Sequence, residues 1–370
     1  MTIHRKNLPI VAVDARMVST VPHGIARYVT QIAKALRSIP DLPYRPIFLT
    51  SADLDTQARL HLFAGFETQT MAAPFLNPKE WVEIPRLLRK IRAALFHSPS
   101  FCSLWTCPCP SIITLHDLNH LHFGGLSKKI YYRTLLKRFC KNSKQILTVS
   151  EFSRNEIARW LDLAPSQIEI TYNAVSRPMI PDPSSEISQI LADRGLPPKS
   201  ENYFFCLSNP KPHKNLPLLI AAYEIFRASE PAAWPLLIST PAAGPTPPGV
   251  YCLGSLSEKV APVVLKQASA LLFPSIYEGF GLPPLEAALL GVPLAVSQIP
   301  PHQEGLADLS QQEVHWVLPA DLQGWVNAFR MLFARKILPA SAHSQNQILE
   351  RFSTERLGRT LDLIYRRVLT

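Results

Sequence analysis

The segment Ala270-Leu-Leu-Phe-Pro-Ser-Ile-Tyr-Glu-Gly-Phe-Gly-Leu-Pro-Pro-Leu-Glu286 joins a short apolar run, a loop with two glycines and the beginning of a helix. The apolar run has the length of a buried strand, and Pro283 stands where the first turn of a helix tolerates proline. Gly279 and Gly281 let backbone N–H groups approach a ligand without an intervening Cβ, and the helix directs its positive end to the same place. The segment therefore predicts a strand–loop–helix unit of an α/β domain, with a phosphate site at the loop.

Two carboxylates flank this loop, Glu278 before it and Glu286 in the following helix, with seven residues between them. Carboxylates accept hydrogen bonds from hydroxyl groups, so a pair beside a phosphate site indicates a ligand that carries both hydroxyls and phosphate. A nucleotide sugar has this chemistry. The alternative is that Glu286 is an ordinary first-turn glutamate favoured by the helix dipole and that Glu278 is a solvated loop residue.

The string Tyr277-Glu-Gly-Phe-Gly-Leu-Pro-Pro-Leu-Glu286-Ala resembles the E-x7-E signature of the retaining glycosyltransferases of glycosyltransferase family 4. The resemblance implies the GT-B fold, in which two doubly wound Rossmann-like α/β domains face a cleft. It also implies that Glu278 is catalytic and holds hydroxyls of the donor sugar, while Glu286 holds the ribose of the nucleotide. Backbone of four donor-binding residues would lie against sugar and phosphate: Gly279, Phe280, Gly281 and Leu282.

Two further motifs stand after predicted strands in the first half of the chain. Gly24-Ile-Ala-Arg-Tyr28 matches a family string whose glycine faces the donor phosphates, although glycines before helices are common in any doubly wound sheet. His116-Asp117 directly follows a predicted strand, at the edge where ligands of open α/β sheets collect. By the resemblance, His116 lies close to the transferred sugar and is catalytic; the alternative is a structural histidine.

Two lysines follow the first predicted strand of the second half, in the string Ser208-Asn-Pro-Lys-Pro-His-Lys214. A lysine at this edge can neutralise a diphosphate as a point charge, and the family carries a phosphate-binding lysine at the place of Lys214. Some members also carry an arginine where this chain has Ser208. Either Lys211 compensates for that arginine or the phosphate is held less firmly, and solvated loop lysines are the alternative.

A length of 370 residues suits two domains, and 47% hydrophobic with 18% charged residues is typical of a soluble globular protein. By the resemblance, we expect an N-terminal acceptor domain over 1–178, to which a helix at 353–370 packs back, and a nucleotide-sugar-binding domain over 200–350. A proline-rich stretch over 174–201 marks the boundary. No apolar run reaches the roughly 18 residues that span a bilayer, and the N-terminus lacks a signal-peptide pattern, so we expect a cytoplasmic protein.

Positive charge is concentrated in the first half of the chain. Residues 1–180 contain 23 Lys and Arg against 12 Asp and Glu, whereas residues 181–370 contain 15 against 16. This asymmetry indicates an anionic partner: nucleic acid, a phospholipid surface or a phosphorylated acceptor. Much of the charge lies in two segments with helical apolar spacing, 81–92 and 127–144. Seven of their cations are candidates for acceptor or membrane binding: Arg86, Arg89, Lys90, Lys128, Lys129, Lys137 and Arg138.

Charge combined with apolar spacing is the pattern of a helix that lies in the interface of an anionic membrane, so we expect peripheral docking on the inner face of the cytoplasmic membrane. Two alternatives stay open. The segments are solvated faces of a basic domain, or they bind an anionic acceptor directly.

Asp53-Leu-Asp55 looks like the metal-binding DxD of another glycosyltransferase class, but we interpret Ser51 and Asp53 as N-capping residues of a helix over 54–63. Three cysteines cluster without a second pair at zinc-finger spacing, and we expect reduced structural thiols: Cys102, Cys107 and Cys109. We therefore predict no metal and no cofactor, with the nucleotide sugar as co-substrate.

The predicted function is retaining transfer of a hexose to a polysaccharide or lipid-linked glycan, as in lipopolysaccharide synthesis. Mannose from GDP-mannose is favoured by overall similarity to mannosyltransferase-like members. No side chain stands out as a covalent nucleophile, which is compatible with the front-face transfer proposed for the family.

Two alternatives come from other classes. One is a nucleotide-sugar epimerase on the same fold, against which the carboxylate motif argues. The other is a non-catalytic basic protein that binds nucleic acid, which would have no need of His116, Glu278 and Glu286 together. We expect no nucleic-acid partner.

Overall fold

The computed structural model describes residues 7–18, 24–180, 202–242 and 244–370. The chain divides into two compact units: Met1–Ala174 with Phe352–Thr370, and Val175–Arg351. The first unit ends four residues before the predicted boundary at 178 and resumes one residue before 353, whereas the second unit begins at Val175, 25 residues before the predicted start at 200. Most of the proline-rich stretch over 174–201 lies outside the described residues, as do residues 1–6.

The first unit contains a sheet of seven parallel strands in the order β3-β2-β1-β4-β5-β6-β7. The strands are β1 (Ile10–Asp14), β2 (Arg45–Ser51), β3 (Glu67–Met71), β4 (Ala93–Ser98), β5 (Ser111–Thr114), β6 (Gln145–Thr148) and β7 (Ile168–Ile170). Every residue of β1 is buried, because a parallel sheet is covered on both faces and its central strands are apolar throughout. The strand order reverses between β1 and β4, which makes this the topological switch point of the unit.

Helices connect successive strands of the first unit, except that a loop joins β4 to β5. They are α1 (Gly24–Arg37), α2 (Thr56–Leu62), α3 (Glu80–Lys90), α4 (Asn119–Phe123), α5 (Leu126–Tyr131), α6 (Lys137–Asn142) and α7 (Glu151–Leu161). A π-helical turn at Tyr132–Leu136 joins α5 to α6, so the basic segment over 127–144 is helical with one irregular turn. The sequence predicts an N-cap at Ser150, and this is confirmed, since the Ser150 hydroxyl accepts a hydrogen bond from the Ser153 N–H at the start of α7.

The second unit contains a sheet of six parallel strands in the order β10-β9-β8-β11-β12-β13. The strands are β8 (Phe204–Cys206), β9 (Leu236–Ile238), β10 (Val250–Cys252), β11 (Ala270–Phe273), β12 (Leu294–Ser297) and β13 (Val314–Val317). Its helices are α8 (Leu216–Ser229), α9 (Ala261–Gln267), α10 (Leu282–Leu289), α11 (Pro300–Gly305), α12 (Leu322–Phe333) and α13 (Ala342–Arg351). The order reverses between β8 and β11, so the prediction of two doubly wound α/β units is confirmed.

The last helix, α14 (Thr354–Leu369), belongs to the first unit. Gly358 lets it approach α1 closely, because a Cβ at this position would lie 2.6 Å from the carbonyl oxygen of Ala35. The hydroxyl of Tyr365 lies 2.6 Å from Nδ1 of the buried His97 in β4. The chain therefore leaves the first unit once and ends in it.

Two local predictions are wrong. The cap of α2 is Asp55, whose carboxylate accepts a hydrogen bond from the Ala58 N–H at 3.0 Å, whereas Ser51 ends β2 and its hydroxyl accepts from the Asp53 N–H. The sequence also predicts a helix over 257–267, whereas α9 begins at Ala261, because the preceding residues form turns.

Candidate functional site

Two loops of the second unit meet at its topological switch point. β8 and β11 are hydrogen-bonded neighbours there, so the chain segments that follow them emerge side by side at the carboxyl edge of the sheet. The N–H of Ile276, after β11, donates a hydrogen bond of 2.8 Å to the carbonyl of His213, after β8. The glycine loop and the lysine loop, predicted separately from the sequence, therefore form one candidate site.

An ion pair joins these two loops. The Lys214 Nζ lies 2.5 Å from Oε1 of Glu278, and the two side chains expose only 12% and 15% of their surface. The ammonium also lies 5.3 Å from the ring centroid of Phe273, at the end of β11, in a cation–π contact. Lys214 and Glu278 are therefore not solvated loop residues, which was the alternative that the sequence left open.

The electrostatics of the site keep Glu278 ionised. Burial alone would raise the pKa of this carboxyl, but the positive charge of Lys214 and its hydrogen bond outweigh burial and hold the pKa below the ordinary value. An ionised carboxylate only accepts hydrogen bonds, which suits the hydroxyl groups of a sugar. Lys214 has three N–H donors, and the Glu278 hydrogen bond uses one of them, so the others suit phosphate oxygens.

Gly281 is required immediately before α10 for two reasons. Its φ of +94° lies in the left-handed region, which L-residues with a side chain rarely adopt. A Cβ at this position would also lie 2.7 Å from Cδ2 of His302. The first turn of α10 contains Pro283 and Pro284, which have no N–H, so this helix end presents fewer backbone donors than an ordinary helix N-terminus.

The remaining predicted residues of this unit differ in their exposure. Glu286 lies one turn into α10 and is buried, with 8% of its surface exposed. Gly279 and Phe280 are buried as well, and Leu282 is half-buried. Lys211 is exposed.

Ser208 stands where some family members carry an arginine, and here it supports the loop. Its N–H donates a hydrogen bond of 2.8 Å to Oγ of Ser239, whose hydroxyl donates in turn to the Ser208 carbonyl at 3.2 Å. The site's cationic side chains in this loop are therefore the two lysines.

His302, in α11, is a buried neighbour of the site that the sequence analysis missed. Its ring centroid lies 5.3 Å from that of Phe273, and its Nδ1 lies 2.9 Å from the carbonyl oxygen of Ser297. Burial lowers the pKa of His302 to about 4, so the ring is neutral at pH 7 and Nδ1–H donates to that carbonyl. Among the described residues, Nε2 has no hydrogen-bond partner. The only signal in the sequence was a histidine a few residues after an apolar run, whereas His116 directly follows a predicted strand.

In the first unit, the Gly24 motif and the segments that contain Ser153 and Thr171 come together around His116. The ring of Tyr28, from the Gly24 motif, packs edge-on against the His116 ring with centroids 4.8 Å apart. The Tyr28 hydroxyl lies 2.8 Å from Oγ1 of Thr171, and the Ser153 hydroxyl donates a hydrogen bond to the His116 carbonyl at 2.8 Å. Packing and hydrogen bonds therefore fix the backbone and the ring of His116 at the carboxyl edge of the sheet.

Two further contacts complete this group. The His116 Nε2 lies 3.0 Å from the carbonyl oxygen of Pro99, after β4. Gly24 is exposed at the first position of α1, and a Cβ there would meet no described atom within 4 Å. Internal packing in the described part of the unit therefore does not account for a glycine at position 24.

The predicted basic residues lie on helices of the first unit. Arg86, Arg89 and Lys90 are exposed on α3, and Lys128 is exposed on α5. Lys129 and Lys137 are half-buried, and the guanidinium of exposed Arg138 lies 4.5 Å from the ring centroid of Trp105. No helix in the described ranges is long and apolar enough to cross a bilayer.

The DxD string and the cysteines show ordinary structural contacts. Asp55 caps α2, and Asp53 accepts a hydrogen bond from the Ser51 hydroxyl. All six cysteines are free thiols. Within the residues that the structure describes, no group of three His, Cys, Asp or Glu side chains has the arrangement of a metal site.

Two family models match the chain. The model described as Glycosyltransferase Family 4 matches residues 22–177, and the model described as Glycosyl transferases group 1 matches residues 201–335. The first match contains Gly24 and His116, and the second contains Lys214, Glu278 and Glu286.

Similar proteins include two O-antigen enzymes. The O-antigen chain mannosyltransferase RfbU of Salmonella typhimurium is 28% identical over 265 residues, which are 66% of this chain and 66% of that protein. The O-antigen chain mannosyltransferase B of Escherichia coli is 26% identical over 317 residues, 77% of this chain and 81% of that protein. Among solved structures, Anabaena Alr3699/HepE in complex with UDP and glucose has a TM-score of 0.71 at 16% identity, covering 97% of this chain and 100% of that one. At this identity the likeness shows a shared fold.

Proposed function

Because the chain belongs to glycosyltransferase family 4 and has the GT-B fold, we propose that it transfers a mannosyl residue from GDP-mannose and retains the anomeric configuration. The observation that carries the proposal is the Lys214–Glu278 pair at the switch point of the second unit. It combines an acceptor for sugar hydroxyls with a cation for a diphosphate, which is the recognition chemistry of a nucleotide sugar. The two O-antigen mannosyltransferases support mannose as the sugar.

Each residue of the site has a proposed role in this reaction. The ionised Glu278 orients the donor sugar through its hydroxyls, and the buried Glu286 holds the ribose. Lys214, with Lys211 at the exposed edge of the loop, neutralises charge on the departing diphosphate. The loop N–H groups from Gly279 to Leu282 add fixed dipoles to the same oxygens.

His116 is the proposed catalytic residue of the first unit, and Gly24 the proposed diphosphate contact. Transfer proceeds on one face of the sugar with the donor's own phosphate assisting, so the reaction requires no covalent nucleophile from the protein. The proposed acceptor is a polysaccharide or a lipid-linked glycan. Lysine and backbone donors meet the charge of the diphosphate, so the reaction requires no added cation.

Peripheral docking on the inner face of the cytoplasmic membrane is part of the proposal. The exposed cations of α3 and α5 support it, because each Lys or Arg near an anionic surface contributes about 1 kcal/mol. Sedimentation with phosphatidylglycerol vesicles at low salt is expected to pellet the protein. Substituting Lys128, Lys129, Lys137 and Arg138 by Gln should leave it in the supernatant, and a parent protein that never pellets contradicts the docking.

The test of the function is a panel of nucleotide sugars, GDP-mannose, UDP-glucose, UDP-galactose and UDP-N-acetylglucosamine, without acceptor. We expect GDP-mannose to raise the unfolding temperature most and to be hydrolysed slowly to GDP and mannose. Preference for a UDP sugar overturns the donor but keeps the transferase. Conversion of a nucleotide sugar to its epimer without release of nucleotide, or stabilisation by none of them, overturns the function.

A further inference from the structure

A cavity of about 530 Å³ opens in the first unit, at the carboxyl edge of its sheet. Segments that follow four strands line it: Met17 comes after β1, residues 75–78 after β3, Phe101 after β4 and His120 after β5. β1 and β4 are neighbours where the strand order reverses, so the cavity lies at the topological switch point of this unit. Open α/β sheets bind ligands at such a point, and the volume is that of a small-molecule site.

Aliphatic and aromatic side chains form most of the wall of the cavity. It is formed mainly by Phe75, Leu76, Trp81, Phe101, Tyr131 and Leu135. Several polar atoms in this wall have partners within the protein. The Tyr131 hydroxyl donates to the Phe101 carbonyl at 2.8 Å, and the Trp81 Nε1–H donates to the Ser103 carbonyl at 3.1 Å.

Glu80, the one carboxylate among the lining residues, also has partners within the protein. Arg16 lies 3.1 Å from its Oε2, which also accepts the N–H of Leu76 at 3.0 Å, and both charged side chains are buried. A sugar needs hydrogen-bond partners on several sides, whereas this wall offers mainly surface for an apolar ligand.

Two irregular backbone features shape this wall. Leu76 has a φ of +59°, an unfavourable conformation for leucine; it exposes 44% of its surface and lines the cavity. The π-helical turn at Tyr132–Leu136 brings Tyr132 and Leu135 into the lining. Backbone strain and π turns both concentrate at functional sites, so the wall has the features of a binding surface.

The rim adds a cation and exposed apolar side chains. Lys128 of α5 is exposed and lines the cavity. On the same short helix, Leu126 and Ile130 expose 75% and 53% of their side chains. An apolar cavity with an ammonium at its edge is complementary to a hydrocarbon chain that ends in a phosphate.

We propose that this cavity binds the first part of the hydrocarbon chain of a lipid-phosphate acceptor, with Lys128 facing the phosphate. The proposal deepens the proposed function and rests on it for the role of that lipid as acceptor. It names the substrate class: a glycan carried on a phosphorylated acyl or isoprenyl lipid, rather than a free polysaccharide.

Binding of n-alkyl phosphates to the full chain tests the site without any donor. Butyl, hexyl and octyl phosphate are titrated below their micelle concentrations while tryptophan fluorescence is recorded, since Trp81 lies in the wall. We expect affinity to rise about three- to fourfold for each added methylene. We expect Lys128→Gln to weaken the binding of octyl phosphate and to leave the binding of 1-octanol unchanged.

Two variants fill the cavity, Leu135→Trp and Ser127→Trp, the second at an exposed residue of the lining where folding is least at risk. Leu363→Trp, on the exposed side of α14, is the matched control because Leu363 exposes 67% of its surface away from this lining. We expect each filling variant to bind octyl phosphate at least about tenfold more weakly, since burial of at least two methylenes is lost. The control should bind like the parent.

The proposal is overturned if octyl phosphate binds no more tightly than butyl phosphate, or if both filling variants bind it like the parent. Binding of the parent only to phosphatidylglycerol vesicles and to no monomeric alkyl phosphate also overturns it, in favour of a membrane-docking surface. GDP-mannose binding, measured on the same samples, separates the two proposals. If the parent does not bind GDP-mannose, the proposed donor is rejected. If a filling variant still binds GDP-mannose but no longer binds octyl phosphate, the lipid site is supported.

Discussion

The ammonium of Lys214 and the carboxylate of Glu278 are 2.5 Å apart, although 64 residues separate them in the chain. The pair bridges the segments after β8 and β11, and each member is mostly buried. The lysine therefore holds the carboxylate ionised, and the carboxylate holds the lysine at the switch point of the sheet. The first prediction follows from this mutual dependence.

Lys214→Met should destabilise the protein, because it leaves the mostly buried Glu278 carboxylate without its cation. The expected loss in the free energy of unfolding is about 1–3 kcal/mol, the cost of a charged group left unpaired on burial. The double variant Lys214→Met/Glu278→Gln should lose less than Lys214→Met alone. Urea unfolding of the parent and of both variants measures these losses. Lys259→Met, at an exposed lysine, is the control. Equal stability of Lys214→Met and the control would show that the pair contributes nothing.

Gly281→Ala should lower the free energy of unfolding more than the same substitution at a glycine where an added Cβ meets no other atom. Gly65 has a similar φ of +84° with no atom within 4 Å of an added Cβ, so Gly65→Ala costs only the left-handed backbone, about 1–2 kcal/mol. Gly281→Ala adds the contact with His302, about 1–3 kcal/mol more. In the double variant Gly281→Ala/His302→Ala that second part should disappear. If Gly281→Ala and Gly65→Ala lower the unfolding free energy equally, the contact is not tight in solution.

Stability should fall as the pH is lowered below about 6.5, because two histidines are buried in the neutral form. Burial lowers the pKa of His97 to about 3 and that of His302 to about 4. Between these values and 6.5 the unfolded chain binds more protons than the folded one, so each histidine removes up to about 1.4 kcal/mol per pH unit.

The slope of unfolding free energy against pH, taken by urea titration from pH 7 to pH 5, measures this effect. His97→Gln should reduce the slope, His302→Gln should reduce it by a similar amount, and the two reductions should add because the residues lie in different units. Slopes equal to that of the parent in both variants would show that neither histidine is buried neutral.

The strand–loop–helix unit around Gly281 and the two doubly wound sheets were predictable, because apolar runs and glycine positions encode them locally. Glu278 and Lys214 were predicted as site residues, but their contact was not, since it depends on which strands are neighbours. The caps of α2 were misassigned because three oxygen-bearing side chains, Ser51, Asp53 and Asp55, compete within five residues, and only the backbone path decides among them.

The cavity of the first unit could not be predicted from the sequence, for a similar reason. Its lining comes from five separate segments between Met17 and Leu135, and no segment alone is unusual. The strained φ of Leu76 has no signature, because leucine is not a residue that favours this conformation. His302 lies in a helix five residues after a strand, and only the structure shows its burial against Phe273.

If the chain transfers mannose from GDP-mannose as proposed, removal of divalent cations should leave the rate unchanged to within about twofold, because in that proposal lysine and backbone donors meet the charge of the diphosphate. The measurement is the rate of GDP release with EDTA, compared with Mg²⁺ and Mn²⁺. Activity that is lost with EDTA and restored by either ion would return Asp53 and Asp55 to consideration as metal ligands.

The most direct test of the central claim is calorimetric titration of GDP and GDP-mannose into the parent, Glu278→Ala and Lys214→Met. If Glu278 holds the sugar and Lys214 the diphosphate, Glu278→Ala should bind GDP-mannose about 10- to 150-fold more weakly and bind GDP at least as tightly as the parent does. Lys214→Met should weaken the binding of both GDP and GDP-mannose. Parent-like affinity of both variants for GDP-mannose would contradict the assignment of this loop to the donor.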